Sequence, residues 1–130
     1  MSYLSILEKI ILRFFNLFIS RTPYRISFYG GSLDYKDWYS KNPVRIICGG
    51  LDYYCYQSVR EIPGFFDFKY RICYSKIENA KNINDIQHPS ARELIRKFAK
   101  NKSIEISYTG DLPSRSGVGS SSAFTVGLIN

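Results

Sequence analysis

The segment PSRSGVGSSSAFTVGLIN, from Pro113 to Asn130, places two glycines and three consecutive serines directly before an apolar run. Glycines at positions 117 and 119 let the backbone turn tightly and approach a ligand closely. The apolar run after Ala123 predicts a helix that begins near the serines. Such a helix would direct its unpaired N–H groups and the positive end of its dipole toward the loop, which suits a phosphate group. Serine hydroxyls would add donors to phosphate oxygens or a ligand for Mg²⁺.

An ordinary serine N-cap behind a flexible loop would produce the same residue pattern. The segment is not a Walker A motif, because no Lys-Ser or Lys-Thr pair follows the second glycine. It is not a dinucleotide-binding fingerprint either, because Ser122 stands where the third glycine would be. Taken alone, the segment leaves phosphate binding and a plain helix cap both open.

The rest of the chain mixes strand-like and helix-like segments, which predicts an α+β or α/β domain rather than an all-β one. One helix is predicted in HPSARELIRKFAK, with Leu94, Ile95 and Phe98 on one face. A loop or short helical piece is predicted in SLDYKDWYSKNP. Alternating or β-rich runs predict strands in RTPYRISFYGG, in VRIICGGLDYYCYQSVRE as one strand or two, in DFKYRICYSKIE as a half-exposed strand, and in SIEISYTG.

The first eighteen residues predict a helix with one polar stripe on an otherwise apolar surface. Its charges interrupt the apolar run too often for a membrane span, and no small-residue cleavage site follows the run. Three interpretations remain: a packing helix, an interfacial helix that contacts a membrane, and an upstream extension with no role in the core. We therefore divide the chain into an extension over 1–18 and a domain over 19–130.

Composition narrows the function classes. The chain has 130 residues, 45% of them hydrophobic, which is enough for one domain with a core. Its net charge of +7 favours anionic partners, but the basic residues are scattered, so we expect no nucleic-acid binding. The three cysteines, Cys48, Cys55 and Cys73, are odd in number, form no C-x-x-C pair and lie in apolar segments, which predicts buried free thiols in a reducing cytoplasm. A single histidine, His88, argues against zinc and Ser-His-Asp chemistry, and we assign it no role.

Two separated motifs resemble those of the GHMP kinases, which include galactokinase, homoserine kinase, mevalonate kinase and phosphomevalonate kinase. Pro113, three further residues and then GVGSSSA resemble the second motif, Pro-x-x-x-Gly-Leu-Gly-Ser-Ser-Ala. RTPYRISFYGGSLDY resembles the first motif. The resemblance is greatest to the sugar-kinase branch that contains D-glycero-D-manno-heptose 7-phosphate kinase, and it covers residues 19–130. It implies the N-terminal domain fold of that family, which is the ribosomal protein S5 domain 2-like fold, truncated here and preceded by the extra helix.

The resemblance also implies site residues. In the loop Pro113–Ala123, ATP phosphates would be wrapped by Gly117, Val118, Gly119, Ser120, Ser121 and Ser122. Ser121 matches the serine that ligates Mg²⁺, so ATP and Mg²⁺ are the implied cofactors. The sugar or sugar phosphate would be contacted by Arg25, Gly30, Gly31 and Asp34. For Asp34 a turn aspartate is the alternative, and for Arg25 a structural ion pair is the alternative.

Two departures from the family pattern limit what the resemblance implies. The family has a Gly-Gly pair near the start of one strand, where this chain has Pro43 and Val44. The family's catalytic aspartate and third motif belong to a longer chain, so catalytic residues are expected beyond Asn130. We therefore expect an N-terminal fragment of an ATP-dependent sugar or sugar-phosphate kinase, cytoplasmic and inactive alone, whose C-terminal half is either encoded separately or lost. The alternative is a non-catalytic remnant or an interaction module.

Overall fold

The computed structural model describes residues 17–31, 33, 35–114 and 116–130. Along the chain these residues form β1 (Leu17–Tyr29), α1 (Lys36–Tyr39), β2 (Ile47–Glu61), β3 (Tyr70–Cys73), β4 (Ile77–Ala80), a 3₁₀ turn (Ile83–Asp85), α2 (Pro89–Phe98), β5 (Ile104–Gly110) and α3 (Ser120–Ile129). The predicted α+β class is confirmed. The predicted extension over 1–18 lies almost entirely outside the described residues and stays a prediction. Its last two residues, Leu17 and Phe18, belong to β1 rather than to a helix.

The strands form one mixed sheet in the order β1-β2-β5-β3-β4. All neighbours are antiparallel except β3 and β5, which run parallel because α2 carries the chain back between them. VRIICGGLDYYCYQSVRE forms a single strand, β2. The pairing of β1 with β2 shifts register between Pro23 and Arg25. Tyr24 lies at this irregularity and is completely buried.

The run DFKYRICYSKIE does not form one strand as predicted. It contains β3 and β4, which pair with each other as a hairpin. Between them Tyr74 donates its backbone N–H to the carbonyl of Lys76 over 2.9 Å, and the Tyr74 hydroxyl donates to the buried Glu78 carboxylate. The chain reverses direction in the middle of this run, and both the backbone N–H and the hydroxyl of Tyr74 are hydrogen-bonded there. The alternation of aromatic and charged residues does not predict this reversal.

The helices α2 and α3 pack on one face of the sheet. Helix α2 begins at the His88 cap with Pro89 in its first turn, where proline has no N–H to lose. Its buried residues are Ala91 and Ile95, whereas Phe98, predicted for the same face, is 61% exposed at its last turn. The main core contains Tyr70, Ile72, Ala80, Ile86, Ala91, Ile95, Ile104, Ile106 and Phe124. No helix within the described ranges is long and apolar enough to cross a membrane.

All three cysteines are free, but they are not all buried. Cys55 lies under α3 in a second, smaller core with Tyr24 and Ala123. Cys73 is half-buried, and Cys48 is exposed. The prediction of burial is therefore wrong for Cys48, because it lies at the start of β2, away from the part of the strand that α3 covers.

Close backbone approach at Gly110 gives a direct test of this fold. A Cβ at Gly110 would lie 2.2 Å from the hydroxyl oxygen of Tyr24, which is fixed by a 2.8 Å hydrogen bond to the Tyr108 hydroxyl. We expect Gly110→Ala to reduce the free energy of unfolding by roughly 1–3 kcal/mol, the usual cost of overpacking. Gly50→Ala is the matched control, because no atom lies within 4 Å of its added Cβ. Urea unfolding followed by circular dichroism measures both, and equal stability of the two variants would contradict this packing.

Candidate active site

The Gly-Ser loop, Pro113–Ala123, ends in the first turn of α3. Gly117 and Gly119 have φ angles of +77° and +71°, the left-handed conformation that residues with a Cβ rarely adopt. Gly119 is the N-cap of α3, and no side chain caps the helix there. The first helical bond joins the Ala123 N–H to the Gly119 carbonyl over 2.9 Å. The N–H groups of Ser120, Ser121 and Ser122 therefore precede the intrahelical ladder at the positive end of the helix dipole.

This helix start opens onto a cleft of about 960 Å³. The first wall is the loop itself, with Gly117, Gly119, Ser120, Ser121 and Ser122. The second wall comes from β1 and the residues after it, and consists of Arg25, Ser27, Gly31 and Tyr35. The third wall is aromatic and consists of Tyr74, His88, Tyr108 and Phe124. Among the described lining residues there is no carboxylate, so the cleft presents neutral and positive groups to a ligand.

Arg25 joins the first two walls. Its backbone N–H donates to the carbonyl of Val118 over 3.1 Å, and its side chain donates to the Ser27 hydroxyl over 3.1 Å. A Cβ at Gly119 would lie 3.2 Å from Cγ and 3.3 Å from Nε of Arg25. The arginine side chain therefore lies directly against the N-cap of α3, which places a positive charge beside the three serine N–H groups.

The third wall is held by buried hydrogen bonds. The His88 ring lies 4.5 Å from Phe124 and 5.0 Å from Tyr74 between ring centroids. Its Nδ1 accepts the Ala91 N–H over 3.3 Å, which caps α2. The Glu78 carboxylate accepts the Gln87 N–H over 2.7 Å and the His88 N–H over 3.3 Å. Burial, the hydrogen bond with Tyr24 and nearby groups raise the pKa of Tyr108 far above its usual range, so Tyr108 stays a neutral hydroxyl.

The structure brings most of the predicted site residues together. Arg25, Gly31 and the glycines and serines of the loop face the same cleft, although their roles in binding stay predictions. The Val118 side chain instead packs against the smaller core, and only its carbonyl reaches Arg25. Gly30 does not line the cleft. It has a φ of +74°, and its missing Cβ makes room for the Arg45 carbonyl, at 2.2 Å from the Cβ position. Asp34 lies outside the described residues.

Sequence reasoning missed the aromatic wall. Tyr74, His88 and Tyr108 come from separate elements, and no spacing rule links them. The sequence marks His88, directly before Pro89, as a helix-entry residue, but nothing in it places this residue beside the glycine-rich loop.

Comparisons with known proteins show which fold this is. Residues 85–130 match the family model described as GHMP kinases N terminal domain. A D-glycero-D-manno-heptose 1-phosphate kinase from Bacteriodes thetaiotaomicron superposes with a TM-score of 0.65 and 18% identity, over 87% of this chain and 40% of that one. The chain has the fold of a GHMP kinase N-terminal domain.

Two further solved structures share this GHMP fold. Methanococcus jannaschii mevalonate kinase has a TM-score of 0.60 and 16% identity, over 86% of this chain and 38% of that one. Lactococcus lactis galactokinase, complexed with galactose, has a TM-score of 0.60 and 16% identity, over 98% and 36%. The chain thus spans about two fifths of the length of these kinases. The comparison with curated protein sequences finds no match.

The His88 cap predicts a pH dependence of stability. Burial lowers the pKa of His88 below its ordinary 6.5, although Glu78 opposes the shift, so the folded state favours the neutral ring. Between the lowered pKa and 6.5 the unfolded chain binds more protons, so stability falls as the pH drops below about 6.5. We expect His88→Asn, which can still cap α2 but does not titrate, to lose less melting temperature than the wild type between pH 7 and pH 5. Parallel losses in both proteins would show that His88 is not the group responsible.

Proposed function

We propose that this chain is the N-terminal, nucleotide-binding part of an ATP-dependent kinase that phosphorylates a sugar or a sugar phosphate in the cytoplasm. The observation that carries the proposal is the start of α3, which no side chain caps and which faces the cleft. Gly117 and Gly119, both with positive φ, and Arg25 line the cleft beside it. A helix N-terminus of this kind binds phosphate groups, because free N–H groups and the helix dipole both favour negative charge.

The residues of the first wall fit the triphosphate of ATP. Ser120, Ser121 and Ser122 line one end of the cleft and bring to it the N–H groups of the first helical turn and their hydroxyls. Space is also available at Gly117, where an added Cβ would meet no atom within 4 Å. When bound, ATP would supply the phosphoryl group. The chain's own residues would hold and orient the β- and γ-phosphates, with Arg25 offsetting part of their charge.

The described residues of the cleft offer few ligands for Mg²⁺. The Ser121 hydroxyl can supply one oxygen ligand, as the resemblance implies. Within the described ranges no cluster of three His, Cys, Asp or Glu side chains could hold a metal ion. Mg²⁺ commonly keeps several waters and binds through substrate phosphates with only one or two protein oxygens. We therefore propose that the ion enters with the nucleotide and that Ser121 completes its coordination.

The acceptor alcohol would lie against the second wall. Gly31 leaves room for close approach, and Ser27 and Tyr35 offer hydroxyl groups to a polyol. Gly30 and Asp34 are also predicted as sugar contacts, although Gly30 does not line the cleft and Asp34 lies outside the described residues. The proposal of a sugar substrate is supported by two similar folds whose titles name a heptose 1-phosphate kinase and a galactokinase.

Helix α3 supports a further part of the proposal, a separately encoded C-terminal half that completes the enzyme. The helix is apolar on nearly every side, yet Val126 and Ile129 are 57% and 58% exposed. A helix that is apolar all round is normally buried. The kinases of similar fold are more than twice as long, which supports a partner domain on this side of α3. The groups that remove the acceptor proton would come from that half.

Nucleotide binding tests the first wall directly. We expect Ser121→Ala to weaken Mg·ATP binding roughly tenfold, the usual cost of one hydrogen bond to a charged group. Ser40→Ala is the matched control, because Ser40 is exposed beyond α1. Isothermal titration calorimetry measures both. Equal affinities for wild type and Ser121→Ala would remove Ser121 from the site, and no binding by the wild type would favour the non-catalytic remnant.

Phosphoryl transfer tests the enzyme class. We expect no turnover by residues 1–130 alone, because positioning and charge neutralisation require all parts of the site together. Joining the chain to the C-terminal portion of a GHMP sugar kinase, in cis or in trans, is expected to give transfer from labelled ATP to a hexose, a heptose or one of their phosphates. Turnover by the chain alone would contradict the need for a partner half. Failure of the completed protein on every sugar would contradict the substrate class.

A further inference from the structure

The end of the fold opposite the cleft carries exposed aromatic rings among exposed lysines. The loop between β2 and β3, residues 62–69, presents Phe65 with 79% of its surface exposed and Phe66 with 38%. Phe65 and Phe66 stack with ring centroids 4.7 Å apart, and Phe66 and Phe68 with centroids 5.2 Å apart. Phe68 is only half-buried, so this aromatic row contributes little to the core. We call this loop and the lysines around it the basic aromatic end.

Backbone hydrogen bonds bring the lysines to this end. The Lys69 N–H donates to the Ala80 carbonyl over 3.0 Å, and the Lys69 carbonyl accepts the Ile104 N–H over 2.8 Å. Ile62 donates to Ser103 over 2.8 Å. These bonds gather the loop, the residues after β4 and the turn between α2 and β5. The lysines on these segments and on the last turn of α2 are all exposed, and they are Lys69, Lys81, Lys97, Lys100 and Lys102.

Fewer acidic groups share this end. Lys102 forms an ion pair with Glu61, and Asp85 is engaged with Asn82. Asp67 lies in the aromatic loop itself. Lysines therefore outnumber the carboxylates, and only one of the lysines is paired with a carboxylate in the described structure. The end thus combines net positive charge with the exposed ring of Phe65 and the partly exposed ring of Phe66.

We propose that the basic aromatic end docks on an anionic lipid surface. Aromatic rings partition into the interface between headgroups and acyl chains, and lysines around them are attracted to acidic headgroups. The Phe66 N–H donates to the Pro63 carbonyl over 3.4 Å, which closes the turn that carries Phe65 and Phe66. The sequence analysis considered a membrane contact only for the first helix, as one of three alternatives, so this surface is a separate one.

The position of the surface leaves the cleft free. Helix α2 runs from His88 in the cleft to Phe98 at the basic aromatic end, ten residues or about 15 Å away. Docking by the lysine-bearing end would therefore keep the Gly-Ser loop open to solution. The proposal does not depend on the proposed kinase activity, since nucleotide and lipid would contact opposite ends of the fold.

Vesicle binding by the full chain tests the proposal. We expect sedimentation with phosphatidylcholine vesicles containing about a third phosphatidylglycerol, and little with phosphatidylcholine alone. Phe65→Ser/Phe66→Ser and, separately, Lys69→Glu/Lys81→Glu should each weaken binding at least about tenfold. Raising the salt to about 1 M, where the screening length is about 3 Å, should weaken it further.

Two control variants match these changes at other sites. Lys36→Glu/Lys41→Glu makes the same charge change near α1, and Phe28→Ser/Tyr29→Ser removes two exposed aromatic rings at the far end of β1. Both should bind vesicles like the wild type, and circular dichroism should show every variant folded. Equal losses in the test and control variants would overturn the proposal in favour of general charge or hydrophobicity.

A fluorescent probe separates loop insertion from binding through the first sixteen residues. The chain has one tryptophan, so Trp38→Phe/Phe65→Trp places the only indole on the loop. We expect its emission to shift to the blue with anionic vesicles and not with phosphatidylcholine. Sedimentation without that shift would overturn the proposal, as would no binding at all. A blue shift that grows with protein concentration in the absence of lipid would overturn it in favour of self-association.

Discussion

The candidate site depends on the close packing of helix α3 against the sheet. A Cβ at Gly127 would lie 2.6 Å from Oγ1 of Thr22 and 2.8 Å from Oε1 of Gln57, so only glycine allows this approach. Gln57, which is 2% exposed, then donates to the Phe124 carbonyl over 2.9 Å. One buried amide and one missing side chain thus fix the helix across β1 and β2. Because the helix is fixed, its uncapped start lies beside Arg25.

The two ends of the domain differ in their chemistry. The cleft end collects backbone N–H groups, hydroxyls and neutral aromatic rings, which suit a phosphorylated ligand. The other end carries the lysines and the exposed rings of the loop between β2 and β3. The strands and α2 span the distance between the ends, so one domain can serve a small ligand and a surface at the same time without overlap.

The sequence predicts those parts of the fold that local chemistry controls. The start of α3, its glycine-rich entry and the Pro89 turn of α2 follow from backbone rules that act within a few residues. The β3–β4 hairpin turns locally at Tyr74–Lys76, where the sequence has no glycine or proline to mark a turn. The exposure of Cys48 and the structural role of Gly30 depend on packing with other segments, as the Arg45 carbonyl beside Gly30 shows. The aromatic wall of the cleft was missed for the same reason, because three separated elements build it.

The central claim is that the start of α3 binds the phosphates of a nucleotide. Backbone amide chemical shifts of the labelled full chain, followed during addition of Mg·ATP, test it most directly. We expect the largest shifts at Gly117, Gly119 and Ser120–Ser122, with smaller shifts at Arg25, and the same pattern on addition of inorganic triphosphate. No shift at these amides at millimolar nucleotide, or shifts confined to the lysines around Phe65, would contradict it.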